Sequence, residues 1–224
     1  MSSQSLCARV TATEVSALAS ICWLHATPEK QHAVMIAIVS WIVVLELATP
    51  IFSTFAARKL CHAGCGLGIM CLDSQYLVSR YFVWAIAAGS ILMTWNLSPL
   101  PPFRFSRERD VGITLYLLLV STWFALQLPA LLLAPLFFAD PAGAVVGKAL
   151  SRHLGPRWNP AWVDQKTIGG SCAVFALTWL TITYDCSPLQ RCALAALATL
   201  AEAVGGEYDN LAIGAVVLFG WLVF

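Results

Sequence analysis

Residues 111–139 contain no Asp, Glu, Lys, Arg or His, and Asp140 then ends the run. A perpendicular membrane span needs about 20 apolar residues, so this run is too long for one helix. Pro129 lies inside it, and a proline removes a helix hydrogen bond and clashes with the preceding turn. The run is therefore expected to form two helices, split near Pro129, the second continuing toward Lys148. Further spans are expected over residues 33–57, 60–78, 81–103, 167–184, 187–201 and 210–224. The expectation is an all-α, polytopic transmembrane bundle of about seven or eight helices.

Composition agrees. The chain has 224 residues, 59% of them hydrophobic and 11% charged, where a soluble domain carries about 25% charged residues. One membrane-embedded domain over residues 33–224 is expected. A leader over residues 1–32 precedes it, with 14–27 apolar but short enough to lie in the interface. The leader lacks the basic region, apolar run and small-residue cleavage site of a signal peptide. Ser2, Ser3, Ser5 and Arg9 fit a weak organelle-targeting segment, and an ordinary leader is the simpler reading. No polybasic arm is present, so nucleic acid is not an expected partner.

Positive charge tests the topology, because basic residues concentrate on the cytoplasmic side. With the spans above, Arg58, Lys59, Arg104, Arg107, Arg109, Lys148, Arg152, Arg157 and Lys166 fall on one face, and Arg80 and Arg191 on the other. The basic face is then cytosolic, or stromal in a plastid. The same threading brings Asp140, Lys148, Lys166, Glu202 and Asp209 to that face. Ionisable groups at or near the hydrocarbon are costly and mark functional sites.

Each of these groups also has a plainer reading. Asp140-Pro141 has the form of a helix N-cap followed by a first-turn proline, and a new helix is expected to start there. Gly143 and Gly147 leave a bare face, either a seam for a second helix or room for a ligand. Lys166-Thr-Ile-Gly-Gly-Ser171 has the composition of a phosphate loop but not the spacing of a Walker motif. It reads equally as a basic anchor at the start of a span. Glu202 and Asp209 flank Gly205-Gly206, so two carboxylates meet at one turn, where they could hold a metal or take a proton. Glu46, within an apolar span, is either a buried catalytic carboxylate or a packing residue. Cys61-His62-x-x-Cys65 suggests a metal site, but no second ligand pair follows at zinc spacing. The eight cysteines are expected to be reduced and packed.

Taken in order, these elements resemble the CTP-dependent lipid-alcohol kinases, which include phytol and farnesol kinases, dolichol kinase and the CTP-dependent diacylglycerol kinase. They are distantly similar to phosphatidate cytidylyltransferases. The matching residues are Asp140, Gly143, Gly147 and Lys148, then Lys166, Thr167, Gly170 and Ser171, then Glu202-Ala203 and Asp209-Asn210-Leu211. Upstream, Arg58-Lys59-x-x-His62 and the segment from Arg107 through Asp110 to Tyr116 are similar to two further elements. Ala139 stands where the family usually has Gly.

The resemblance implies transfer of the γ-phosphoryl group of CTP to a membrane-resident lipid alcohol, with Mg²⁺ as cofactor, in an endoplasmic reticulum or plastid membrane. It implies that Asp140 and Asp209 hold the metal or that one of them takes the substrate proton, with Glu202 beside them. Lys148, Lys166 and the Gly170-Ser171 backbone would bind the triphosphate, and Thr167 and Asn210 would orient it. Arg58, Lys59, His62 and Arg107 would supply positive charge. The alternatives are a CDP-lipid-forming cytidylyltransferase, whose signature runs are absent, and a non-catalytic membrane protein or transporter.

Overall fold

The computed structural model describes residues 27–48 and 51–224. The short apolar segment 14–27 therefore lies almost wholly outside the described residues, as do Cys7 and Cys22. The fold is all-α with one small hairpin. In chain order the elements are α1 (Pro28–Leu47), α2 (Thr54–Met70), α3 (Leu77–Thr94), α4 (Val111–Ala125), a 3₁₀ turn (Ala130–Leu133), α5 (Ala134–Leu154), β1 (Ala161–Val163), β2 (Lys166–Thr167), α6 (Ile168–Thr181), α7 (Pro188–Gly205), a 3₁₀ turn (Gly206–Tyr208) and α8 (Asp209–Val223).

Among the described residues, three helical segments are long and apolar enough to cross a membrane: Pro28–Leu47, Leu77–Thr94 and Ala130–Leu154. That is fewer than the seven or eight expected. Apolar runs do not translate directly into helix length. Helices α4 and α6 are apolar but hold 15 and 14 residues, and at 1.5 Å per residue each is about 22 Å long or less, against a hydrocarbon thickness of about 30 Å. The run 33–57 is broken after Leu47, and Ser53 starts α2 by accepting a hydrogen bond from the Ala56 N–H at 3.2 Å. The run 81–103 stops being helical at Thr94, followed by Asn96 in the left-handed region and a Pro-rich loop. Helix α1 starts before the apolar run 33–57, with Pro28 in its first turn.

The split near Pro129 is present. Helix α4 ends at Ala125, and the chain then turns through Gln127, at φ 57°, into the 3₁₀ turn. Leu128, Ala130, Leu132 and Leu133 of this connection are buried. Irregular backbone in a dry environment needs partners for its polar groups. Here Trp123 Nε1 donates to the Pro129 carbonyl at 3.0 Å, and Gln75 Nε2 donates to the Gln127 carbonyl at 2.7 Å. The largest buried side chains, Phe124, Leu133, Leu136 and Phe137 among them, gather around this connection.

The expected helix start at Asp140 is corrected. Pro135 already occupies the first turn of α5, so Asp140 and Pro141 lie inside the helix. The cost of Pro141 is the missing hydrogen bond to the Phe137 carbonyl. Asp140 is consequently not an N-cap, and its carboxylate is available for other contacts.

Helices α5 and α6 meet at glycines. A Cβ on Gly170 would lie 2.8 Å from the Gly143 carbonyl oxygen and 3.4 Å from Gly147 Cα. The bare face of Gly143 and Gly147 is thus a packing seam for Gly170. Gly170→Ala forces two backbones apart, and overpacking of this kind costs about 1–3 kcal/mol. The expected result is a lower unfolding temperature for the detergent-solubilised protein; an unchanged value would contradict the seam.

The outward faces of α1 and α3 are apolar. Ile36, Val43 and Leu47 on α1 and Leu77, Tyr81 and Leu92 on α3 are exposed. Contiguous exposed apolar surface of this kind suits lipid rather than water. Contacts near the helix ends define the two ends of the bundle. At one end Gln31 Nε2 donates to the Cys71 carbonyl and Arg191 to the Ile182 carbonyl. At the other, Arg104 N–H donates to Glu46, Arg58 binds Asp110, and Asn210 Nδ2 reaches the Gly112 carbonyl.

Candidate active site

A cavity of about 790 Å³ opens at that second end. Each residue to which the resemblance gives a role lines it: Asp140, Glu202, Asp209, Lys148, Lys166, Thr167, Gly170, Ser171, Asn210, Arg58, Lys59, His62 and Arg107. They come from α2, the loop before α4, α5, β2, α6, α7 and α8, so only the tertiary fold could assemble them.

At the centre are three carboxylates. One oxygen from each of Asp140, Glu202 and Asp209 lies within 4.8 Å of the others. Glu202 is in the last turn of α7 and Asp209 in the first turn of α8. The reversal between them needs Gly206, whose φ of 55° favours a residue without a Cβ. Asp209 at a helix start is also favoured by the helix dipole, and it accepts the Asn210 N–H at 2.7 Å.

Two ionised carboxylates at such a separation repel by roughly 3 kcal/mol at an effective dielectric of about 20. Cations offset this. Lys166 Nζ donates to Glu202 and, at 3.3 Å, to Asp209. Lys59 Nζ donates to Asp140 at 2.8 Å, and His62 Nδ1 lies 3.4 Å from the same oxygen. Lys166 sits on the hairpin, outside the helices. Burial alone would lower its pKa, but Glu202, Asp209 and Asp140 together hold it above the ordinary lysine value. Its ammonium therefore stays charged at neutral pH.

The carboxylate set fits a hard divalent cation. Mg²⁺ binds oxygen through one or two carboxylates and completes its shell with water and substrate phosphates. Asp140 and Asp209 were the expected pair, and the geometry adds Glu202 to them.

Other residues are placed differently from expectation. The Gly170 N–H is taken by Thr167 Oγ1 at 3.2 Å, so Thr167 caps α6. The Gly169 N–H is taken by Asn159 Oδ1 at 2.8 Å, and Ser171 Oγ accepts from Trp162 Nε1 at 2.9 Å. The Gly-Gly-Ser turn thus spends these groups on its own fold and does not present them as a phosphate loop. Lys148 Nζ lies 4.1 Å from the centre of the Phe55 ring, a cation–π contact at the cavity wall. Glu46 does not line the cavity: it ties α1 to the loop before α4 through Arg104.

Three contributors, Asp110, Tyr116 and Asn159, have no role assigned from the sequence, although the first two lie in the element from Arg107 to Tyr116. Asp110 caps α4 by accepting the Ile113 N–H at 3.1 Å and also holds Arg58 at the cavity. An Asp before an apolar run was a readable cap signal. Tyr116 is buried, and its ring centroid lies 4.4 Å from that of His62. Asn159 bridges α5 and α6 by donating to the Gly147 carbonyl at 3.0 Å while accepting from Gly169. No local pattern marks Asn159, and the element that ends at Tyr116 does not reveal its contact with His62.

The cavity is amphipathic. Away from the charged cluster its wall is Ile38 and Ile42 of α1, Phe82 and Ile86 of α3, and Leu117 and Val120 of α4. A ligand with a polyanionic head and an apolar tail matches this division.

Comparison with known proteins places the chain in no family: no family model, curated protein or solved structure matches it.

Proposed function

We propose that the protein is a CTP-dependent lipid-alcohol kinase, transferring a γ-phosphoryl group to the hydroxyl of a polyprenol, dolichol or diacylglycerol in the membrane. One observation carries the reading: three carboxylates and a ring of cations share a cavity whose remaining wall is largely apolar. Phosphoryl transfer demands mainly positioning and charge neutralisation, and both are available here.

Lys148, Lys166, Arg58, Lys59 and Arg107 surround the triphosphate. Two of the three carboxylates Asp140, Glu202 and Asp209 would hold Mg²⁺, which when bound neutralises charge on the phosphate oxygens. The Asn210 side chain, whose Oδ1 is buried without a partner among the described residues, orients a polar group of the nucleotide. The alcohol enters from the bilayer with its chain along α1, α3 and α4, so its hydroxyl arrives beside the carboxylates. A carboxylate that is not holding metal takes the hydroxyl proton as the oxygen attacks phosphorus and CDP leaves. All eight described helices lie in or across the membrane on this reading, and the shorter ones also present apolar side chains outward, such as Leu118, Leu180 and Phe219. The basic face is cytosolic or stromal.

The donor preference rests on resemblance. Turnover is expected with CTP and Mg²⁺ and to be lost when Mg²⁺ is chelated. Initial rates with CTP, ATP, GTP and UTP check it, and equal use of ATP would place the protein outside this class.

A further inference from the structure

Cys61 and Cys65 lie one turn apart on α2, with their Sγ atoms 3.8 Å apart. Both line the cavity. A disulfide does not suit them. It needs sulfurs at about 2.05 Å and Cβ atoms about 3.5–4.5 Å apart, whereas residues four apart on a helix hold their Cβ atoms about 5–6 Å apart. A metal suits them without movement. With metal–sulfur bonds of about 2.3 Å and tetrahedral angles, two thiolates on one zinc stand about 3.8 Å apart.

A second observation points the same way. His62 adjoins Cys61 in sequence and lines the same cavity, and its side chain is only 8% exposed. Its Nε2 is buried and has no hydrogen-bond partner among the described residues, so the cavity that holds the dithiol also holds an unspent ring nitrogen. The carboxylate cluster offers only oxygen and selects hard cations, while thiolates select soft ones. The cavity therefore carries two donor sets of opposite preference.

We propose that Cys61 and Cys65 form a bidentate site for a soft divalent cation of the zinc and cadmium type, distinct from the carboxylate cluster. Binding forms two metal–sulfur bonds and releases two protons, with no change of oxidation state. The remaining coordination positions open onto the cavity. The proposal does not depend on the kinase reading.

The test uses Cd²⁺ alone, titrated into the full-length, metal-free protein in detergent. The expected result is thiolate-to-cadmium ultraviolet absorption that saturates at one equivalent. It is lost in Cys61→Ser and in Cys65→Ser, and kept in Cys172→Ser and Cys192→Ser, whose cysteines are exposed. Wild-type protein provides a check that needs no variant. Cd²⁺ should shield Cys61 and Cys65, but not Cys172 and Cys192, from maleimide labelling mapped by peptide. Absence of the band, its survival in both single variants, or equal labelling of Cys61 and Cys65 with and without Cd²⁺ would overturn the proposal.

Discussion

Asp140→Asn should lower turnover by about 10²–10⁴-fold, the usual worth of a single well-placed catalytic group, while leaving the fold intact. The carboxylate sits inside α5, 6% exposed, so no helix cap is at stake. Its Lys59 contact, at 2.8 Å, survives the change because an amide oxygen still accepts. What is lost is the negative charge that pairs with Mg²⁺ or takes a proton. Steady-state rates and an unfolding temperature measured on the same preparation separate the two effects. A rate within a few-fold of wild type at normal stability would remove Asp140 from the chemistry.

Lys166→Ala should act on both activity and stability. Lys166 bonds two of the three clustered carboxylates, and its removal leaves them to repel one another. A buried polar group left without its partner costs about 1–3 kcal/mol, more when it is charged. The metal-free variant should therefore unfold at a lower temperature than wild type, and added Mg²⁺ should restore much of the difference by neutralising the cluster. Turnover should fall by orders of magnitude, or the KM for CTP should rise, because a phosphate cation is gone. A basic anchor at the membrane surface would show neither effect, since Arg152 and Arg157 remain nearby in the chain. Unchanged stability and unchanged kinetics would reduce Lys166 to that anchor.

Much of the site was legible because carboxylates and lysines are conspicuous in an apolar chain. Asp140, Lys148, Lys166, Glu202 and Asp209 could be grouped by counting spans and following the positive charge. Gly205-Gly206 announced the turn that sets Glu202 beside Asp209. The Pro129 break was visible because proline has few places in a helix. Errors arose where two signals competed. Asp140-Pro141 reads as a helix start, yet Pro135 begins the helix earlier and tertiary packing carries it through Pro141. Helix lengths were overestimated because apolar composition continues through capped turns, such as that at Ser53, and through the buried 3₁₀ segment. The hairpin Ala161–Thr167 is too short to show a period. Asn159 and Tyr116 act through contacts distant in sequence, and no spacing rule reports those. Lys166-Thr-Ile-Gly-Gly-Ser was legible as important but not in its role: Thr167 caps a helix and Gly170 packs, while Lys166 alone reaches the acidic cluster.

The central claim is phosphoryl transfer to a lipid hydroxyl, and the position of a radiolabel in CTP tests it most directly. Purified protein in bilayer nanodiscs is given Mg²⁺ and phytol, farnesol, dolichol or diacylglycerol, with CTP labelled at either the γ- or the α-phosphorus. The account predicts that γ-label enters the organic phase as a lipid monophosphate with at least one of these alcohols, while α-label stays in water as CDP. Transfer of α-label into lipid, or of neither label with any alcohol, would contradict it.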